Sequence, residues 1–133
     1  MNTRRFFFFA IVLAFAIVTA SLYWPSSTPK VSSTTLMQFI GDGEAPAILD
    51  VRTRAEYDAG HLPGAIHASV FSLFNEHENL AISQEETLIL YCRSGLRARV
   101  GALILRAAGY DSVYLLDGHL RQWRAGGYPL IYV

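Results

Sequence analysis

Short, largely apolar runs alternate along this chain with segments of helical periodicity. Residues 47–51, 87–91 and 112–116 are such runs, and none has the regular polar alternation of a half-exposed strand. Strands that are buried on both faces occur in parallel sheets, where the connecting helices cover the two sides. The pattern therefore predicts an α/β protein with a short parallel sheet and helices on both faces.

The remaining elements follow from turn residues and apolar spacing. The predicted strands are 47–51, 65–67, 87–91 and 112–116, and the predicted helices are 35–40, 54–59, 70–80, 98–108 and 119–125. Thr34 or Thr35 is expected to cap the first helix. Segment 70–80 is ambiguous; as a helix, it is expected to direct Phe71 and Phe74 into the core.

The N-terminus carries a hydrophobic segment. Arg4 and Arg5 precede an uncharged run, Phe6–Trp24, which approaches the roughly 20 apolar residues that span a bilayer. Residues 1–24 are therefore predicted to be either a single-pass membrane anchor or a signal peptide, cleaved after the small residues Val18-Thr19-Ala20.

Either alternative implies that the protein is located in the cell envelope. Basic residues favour the cytoplasmic side, so the chain beyond the leader is expected to face the periplasm. It would be anchored in the inner membrane by residues 6–24 or released after cleavage. Residues 25–33 are interpreted as a linker and residues 34–133 as one domain.

The charge balance excludes one class of partner. Without Arg4 and Arg5, nine basic residues face eleven acidic ones, a net charge of about −2. Nucleic-acid binding needs a basic surface, so no nucleic-acid partner is expected.

Cys92 is the only cysteine, which excludes an internal disulfide and a metal site built from cysteines alone. It follows the predicted strand 87–91 and precedes the predicted helix 98–108. A buried, inert thiol is the simplest role for a lone cysteine. In an oxidising compartment, however, a free thiol is a liability unless it is buried or used.

The residues after Cys92 favour a reactive role. A nucleophilic cysteine must be a thiolate, so its pKa must fall below about 8.5. The unpaired N–H groups of a helix start, an anion nest permitted by Gly95, and the charges of Arg93 and Arg97 are all expected to lower it.

The size of this loop distinguishes two chemistries. Cysteine-dependent phosphatases place five residues between the cysteine and an arginine, whereas four residues separate Cys92 from Arg97. Position 98, where the phosphatase arginine belongs, is alanine. The shorter ring favours a smaller target than phosphate, such as the terminal sulfur of a thiosulfate-like or persulfide donor. A phosphatase or arsenate reductase of related fold is a weaker alternative.

Over residues 35–130, the chain resembles the rhodanese-homology family of sulfurtransferases. The residues that carry the resemblance are Ile48–Arg52 with Glu56-Tyr57, Gly60–Ala65, Tyr91–Arg97, Ala108–Tyr110 with Val113, Leu116–Gly118, Trp123 and Gly127–Pro129. Two positions depart from the family pattern. Gly118-His119 stands where paired glycines are frequent, and Ala98 where serine is common.

The resemblance implies a rhodanese-like sulfurtransferase of the small exported bacterial kind. Cys92 would take a sulfur from a small sulfur-containing anion, hold it as a persulfide, and pass it to a thiol or to cyanide. The substrate-binding loop would be Arg93, Ser94, Gly95, Leu96 and Arg97. No cofactor or metal is expected, since the histidines show no tight ligand spacing.

Asp50 and Arg52 are supporting candidates. Asp50 is predicted to end a strand, where it would either position the loop or donor or bond local backbone. Arg52 has a salt bridge to Glu56 or Asp58 as its alternative role. A non-catalytic rhodanese-like module that binds a partner at the membrane surface also remains open.

Overall fold

The computed structural model describes residues 10–16 and 28–133. Residues 10–16 are helical, and the rest of the predicted leader, with residues 25–27 of the predicted linker, lies outside the described residues. Within the two described ranges, no helix combines the length and the apolarity that a bilayer crossing requires.

Five parallel strands form one sheet in the order β1-β5-β4-β2-β3. The strands are β1 (Lys30–Val31), β2 (Ala47–Asp50), β3 (Ile66–His67), β4 (Leu88–Tyr91) and β5 (Val113–Leu116). The predicted parallel sheet is confirmed. The two-residue strand β1, too short to leave a pattern in the sequence, lies inside the segment that was predicted to be a linker.

Five α-helices connect or follow the strands. They are α1 (Ser33–Asp42), α2 (Arg54–Asp58), α3 (Val70–Glu76), α4 (Leu96–Ala107) and α5 (His119–Ala125), with a 3₁₀ turn at His77–Asn79. The cap of α1 differs from the expected Thr34 or Thr35. Ser32 supplies it, because its Oγ accepts the N–H of Thr35 at 3.1 Å.

The central strand β4 divides the core between the two faces of the sheet. Leu88 and Leu90 pack in the cluster that contains residues of α3 and α4. Ile89 and Tyr91 pack in the opposite cluster, with residues of α1 and α5. This alternation explains why all four residues of β4 are buried, and it confirms helices on both faces.

The orientation of α3 corrects one prediction. Phe71 and Phe74 are 74% and 73% exposed, whereas Val70 and Leu73 are buried. The two pairs have the same i, i+3 spacing, so the sequence pattern fits both rotations of the helix. Close packing on α4 accompanies the observed rotation, since a Cβ at Gly101 would lie 3.3 Å from Leu73 Cδ1.

Candidate active site

The Cys92 loop joins the end of β4 to the start of α4. Cys92 follows Tyr91 directly, and α4 begins at Leu96. Gly95 has φ +121°, a backbone conformation that L side chains rarely adopt. This conformation directs the Gly95 N–H at Cys92 Sγ, with 3.0 Å between nitrogen and sulfur. An amide pointed at the sulfur stabilises negative charge on it.

Cys92 itself is 1% exposed and packs in the cluster beneath α3 and α4. The reactive role favoured by the sequence needs a thiol that a donor can reach, so this depth of burial differs from that expectation. Strand alternation explains the difference, since it directs Tyr91 to one face of the sheet and the next side chain to the other. The sulfur therefore lies at the bottom of the loop, while Arg93, Ser94 and Leu96 are exposed above it.

Arg97 is held by an acidic partner from another element. Its Nη1 and Nη2 donate to the two carboxylate oxygens of Glu56 in α2, at 2.7 and 2.9 Å. The hydrogen bond from Arg97 lowers the pKa of Glu56 to about 2. The bond to Glu56 raises the pKa of Arg97, and negative charge on Cys92 adds to this, so Arg97 lies within electrostatic reach of the sulfur.

Asp50 and Arg52 form a buried ion pair at the end of the neighbouring strand. Arg52 Nη2 donates to Asp50 Oδ2 at 2.6 Å, Arg52 Nε donates to Oδ1 at 2.9 Å, and the Arg52 backbone N–H donates to Oδ1 at 3.0 Å. The alternative role considered for Arg52 was a salt bridge to Glu56 or Asp58. Arg52 pairs with Asp50 instead, because a carboxylate with no exposed surface needs a charged partner within reach.

This pair connects to the Cys92 loop through Tyr91. The Tyr91 hydroxyl donates to Asp50 Oδ2 at 2.7 Å and accepts the N–H of Leu62 at 3.0 Å. Burial, with the charge of Asp50, raises the pKa of Tyr91 and keeps its hydroxyl protonated. Burial alone would lower the pKa of Arg52, but the bond to Asp50 raises it. Both groups therefore keep the protonation that the network requires.

A cavity of about 460 Å³ borders the loop between α2 and α5. It is lined by Arg52, Glu56, Ala59, Arg93, Leu120, Arg121 and Arg124. Arg52 and Glu56 already have charged partners. Arg93, Arg121 and Arg124 form no ion pair with any residue that the structure describes. Three uncompensated guanidinium groups make this cavity attractive to anions.

His119 lies at the site although no role was predicted for it, and the same holds for Tyr91, Arg121 and Arg124. His119 Nδ1 accepts the N–H of Cys92 at 3.4 Å, and its side chain is buried beneath the loop. The sequence shows that Gly118-His119 departs from the paired glycines of the family. It does not show the contact between His119 and Cys92, because 27 residues separate the two.

Two other histidines are occupied by backbone groups. His61 Nδ1 lies 2.9 Å from the Tyr57 carbonyl oxygen, with its ring stacked on Tyr57 at 3.7 Å between centroids. His67 Nε2 lies 2.8 Å from the Arg52 carbonyl oxygen. Across residues 10–16 and 28–133, no group of three or more His, Cys, Asp or Glu side chains is arranged to hold a metal ion.

Comparison with known proteins agrees with this geometry. A sulfurtransferase of Allochromatium vinosum is 28% identical over 102 residues, which cover 77% of this chain and 94% of the relative. The putative sulfur carrier protein YrkF of Bacillus subtilis is 28% identical over 98 residues, 74% of this chain. This chain matches about half of that relative's length, 52%.

A solved structure and a family model also resemble this chain. The human single-domain sulfurtransferase TSTD1 has a TM-score of 0.64 and 25% identity, covering 74% of this chain and 97% of that one. The model of the rhodanese-like domain matches residues 32–126. The chain therefore belongs to the rhodanese-like domain family.

Proposed function

We propose that this protein transfers a sulfane sulfur from thiosulfate or a persulfide to a thiol or cyanide, with Cys92 as the carrier. The observation that carries the proposal is the 3.0 Å contact between the Gly95 N–H and Cys92 Sγ at a strand-to-helix turn. The naming of family relatives as sulfurtransferases and a sulfur carrier supports sulfur transfer in general.

The reaction proceeds in two displacement steps. The Cys92 thiolate attacks the outer sulfur of the donor, a new S–S bond forms, and the donor's own bond to that sulfur breaks. Sulfite or a thiolate leaves with the electron pair, and Cys92 holds a persulfide. An acceptor thiolate or cyanide then attacks the outer sulfur, and the Cys92 thiolate returns as the leaving group.

The loop and the adjoining cavity divide the tasks of this cycle. The Gly95 N–H stabilises negative charge on the sulfur of Cys92, as the donors of an oxyanion hole stabilise oxygen. The exposed residues Arg93, Ser94 and Leu96 add to the rim that meets the donor. The cavity arginines attract the anionic donor, and Arg97, fixed by Glu56, adds positive charge beside the sulfur.

Mass spectrometry tests the proposal directly. After incubation with thiosulfate, the intact protein is expected to gain one sulfur atom on Cys92, and cyanide should remove it with release of thiocyanate. Cys92→Ser is the matched control and should gain none. Protein that stays unmodified with thiosulfate and with several persulfide donors would refute the carrier role.

The near-complete burial of Cys92 favours a second candidate, a non-catalytic module that binds a partner. The two functions differ in the reactivity of the thiol. A carrier is expected to react with iodoacetamide at pH 7 faster than an ordinary thiol, and Arg97→Ala should slow it. A thiol that resists alkylation at neutral pH supports the binding module. Hydrolysis of an aryl phosphate without sulfur transfer would instead indicate a phosphatase.

The cell envelope is proposed as the location, with the periplasm as the compartment that the domain faces. The uncharged run Phe6–Trp24 after Arg4 and Arg5 supports this. N-terminal sequencing of protein recovered from fractionated cells distinguishes the two forms. An anchored form keeps residues 1–20, whereas a cleaved form begins after Ala20. Protein found entirely in the cytosolic fraction would refute the proposal.

A further inference from the structure

His119 adopts a strained backbone conformation at the start of α5. Its φ is +51°, and within the described residues it is the one non-glycine with a positive φ. Such strain at a bulky residue persists only where the surroundings hold the residue in place, and it concentrates at functional sites. The contacts of His119 identify what holds it.

Both backbone polar groups of Cys92 bond to this turn of α5. The Cys92 N–H donates to His119 Nδ1 at 3.4 Å. The Cys92 carbonyl accepts the N–H of Leu120 at 3.1 Å, and the next carbonyl, that of Arg93, accepts the N–H of Arg121 at 3.2 Å. The residue that carries the sulfur is thus positioned from α5 as well as from its own strand.

The imidazole also lies against Gly95. A Cβ built at Gly95 would be 2.8 Å from His119 Nε2 and 3.0 Å from Cδ2. The ring therefore occupies the space behind the residue whose N–H points at Cys92 Sγ. One side chain contacts both ends of the short segment that forms the sulfur-binding geometry.

We propose that His119 is a positioning residue for sulfur transfer, and that its neutral imidazole holds Cys92 and Gly95 in the arrangement that stabilises negative sulfur. The proposal rests on Cys92 being the sulfur carrier. The ring acts through the backbone of the loop and does not contact the donor or the acceptor.

Only the neutral ring can perform this role. Nδ1 accepts a hydrogen bond from Cys92, and a protonated Nδ1 has no lone pair to accept it. Burial lowers the pKa of His119 below its usual 6.5. The positive charges of Lys30 on β1 and Arg99 on α4 lower it further, and Asp117, beside the turn before α5, opposes them.

The pH dependence follows from the sign of this shift. A base whose pKa is lower in the folded protein contributes stability that is complete above its unfolded pKa, here about 6.5. That contribution is lost as the pH falls from 6.5 towards the lower folded value. Loop order, and with it the reactivity of Cys92, should fall as the pH drops towards that lower folded value, where the ring in the folded protein gains its proton.

Two substitutions separate the ring from its backbone position. Glycine accepts φ +51° without strain, but the substitution removes the buried ring and leaves the Cys92 N–H without its acceptor. His119→Gly is therefore expected to fold with reduced stability. It should also alkylate at Cys92 and form the persulfide about 10-fold more slowly, because small misplacement of reacting groups is costly. The loss is expected in kcat, with KM for thiosulfate little changed.

His119→Asn provides the rescue. Asparagine tolerates positive φ, and its Oδ1 can take the place of Nδ1 as an acceptor that does not titrate. The Asn variant should recover most of the rate at pH 7.5, and its rate should decline less steeply below pH 6.5 than that of the wild type. His77→Asn is the matched control and should keep the wild-type profile, because His77 lies in the 3₁₀ turn after α3 and its Nδ1 is 3.3 Å from the Leu73 carbonyl oxygen.

The alkylation rate of Cys92 between pH 5 and 8, measured alongside urea unfolding, decides the matter. A folded His119→Gly protein that reacts at the wild-type rate would overturn the proposal. So would an Asn variant that retains the wild-type decline at low pH. Alkylation needs no sulfur donor. A His119-dependent profile in a protein that never forms a persulfide would therefore refute the proposed function, and would show that His119 orders the Cys92 loop without serving sulfur transfer.

Discussion

The ends of β2 and β4 lie side by side, with Asp50 in register with Tyr91, and their polar groups differ sharply. Asp50 is fully buried and accepts hydrogen bonds from Arg52 and from the Tyr91 hydroxyl. Within residues 10–16 and 28–133, Cys92 Sγ accepts one amide N–H, that of Gly95, in a loop whose outer residues are exposed. The carboxylate at the end of β2 accepts several hydrogen bonds from fixed partners, whereas the sulfur that follows β4 accepts fewer.

This difference suits the end of β2 to a structural role and the residue after β4 to the proposed reaction. A buried carboxylate with all its partners gains nothing from a new ligand, so Asp50 is suited to hold Tyr91 in place. The sulfur of Cys92 is the proposed position of the chemistry, with the Gly95 N–H directed at it. The following predictions test that division, from the largest expected effect to the smallest.

Asp50→Asn should be the most damaging change to stability. The side chain keeps its shape but loses its charge, and Arg52 is left buried without a counter-ion. Breaking a buried pair in this way costs about 3–5 kcal/mol of unfolding free energy. Urea unfolding at pH 7 measures it. Asp58→Asn, which breaks the more exposed pair with Arg54, should cost less than about 1 kcal/mol. Equal losses for the two variants would contradict the supporting role of Asp50.

Gly95→Ala should affect chemistry more than stability. Alanine at φ +121° is strained, and its Cβ would lie 2.8 Å from His119 Nε2. The loop must shift, so persulfide formation should fall about 10- to 100-fold, with a stability loss of about 1–3 kcal/mol. Gly64→Ala is the control, because Gly64 also has positive φ but has nothing within 4 Å of the added methyl. Similar loss of persulfide formation in both variants would show that the contact with His119 is unimportant.

Glu56→Gln should lower the free energy of unfolding least of the three changes, and the loss should depend on pH. The pKa of Glu56 is lowered to about 2 from 4.5, so its contribution to stability is present above pH 4.5 and lost as the pH falls towards 2. The pair with Arg97 is partly exposed, which reduces the contribution to about 1–2 kcal/mol at pH 7.

Urea midpoints at pH 7, 4 and 3 test this. The wild-type advantage over the Gln variant should shrink with each step towards acid. Glu44→Gln, a change at an exposed glutamate outside the ion pairs of the described chain, is the control and should track the wild type. A wild-type advantage that stays constant down to pH 3 would show that the carboxylate charge of Glu56 does not contribute.

Local pattern predicted much of this fold. The strand predicted at 87–91 is observed at Leu88–Tyr91, and the helix predicted at 54–59 is observed at Arg54–Asp58. Both follow from the residues of the segment itself: an uninterrupted apolar run in the first case, and the Thr53 cap with Glu56 in the second. The turn that carries Cys92 follows from its place between two such segments.

Contacts across the chain could not be predicted in the same way. Arg97 pairs with Glu56 across 41 residues, and Arg52 pairs with Asp50 rather than with Glu56 or Asp58. An ion pair depends on which side chains the sheet brings within a few ångströms. Asp50, Glu56 and Asp58 all lie near Arg52 in the sequence, so spacing alone does not choose among them. No carboxylate lies within ten residues of Arg97, so spacing gives that arginine no partner at all.

The sequence by itself determined that this chain would form a parallel sheet with one sulfur at a strand-to-helix turn, because apolar periodicity and turn residues act within a few positions. Tertiary structure decided the rest: that Phe71 and Phe74 face outward, that Cys92 lies at the bottom of its loop, and that His119 supports it. Each of these depends on how elements distant in the chain pack together, and the shape of that packing is not contained in any one segment.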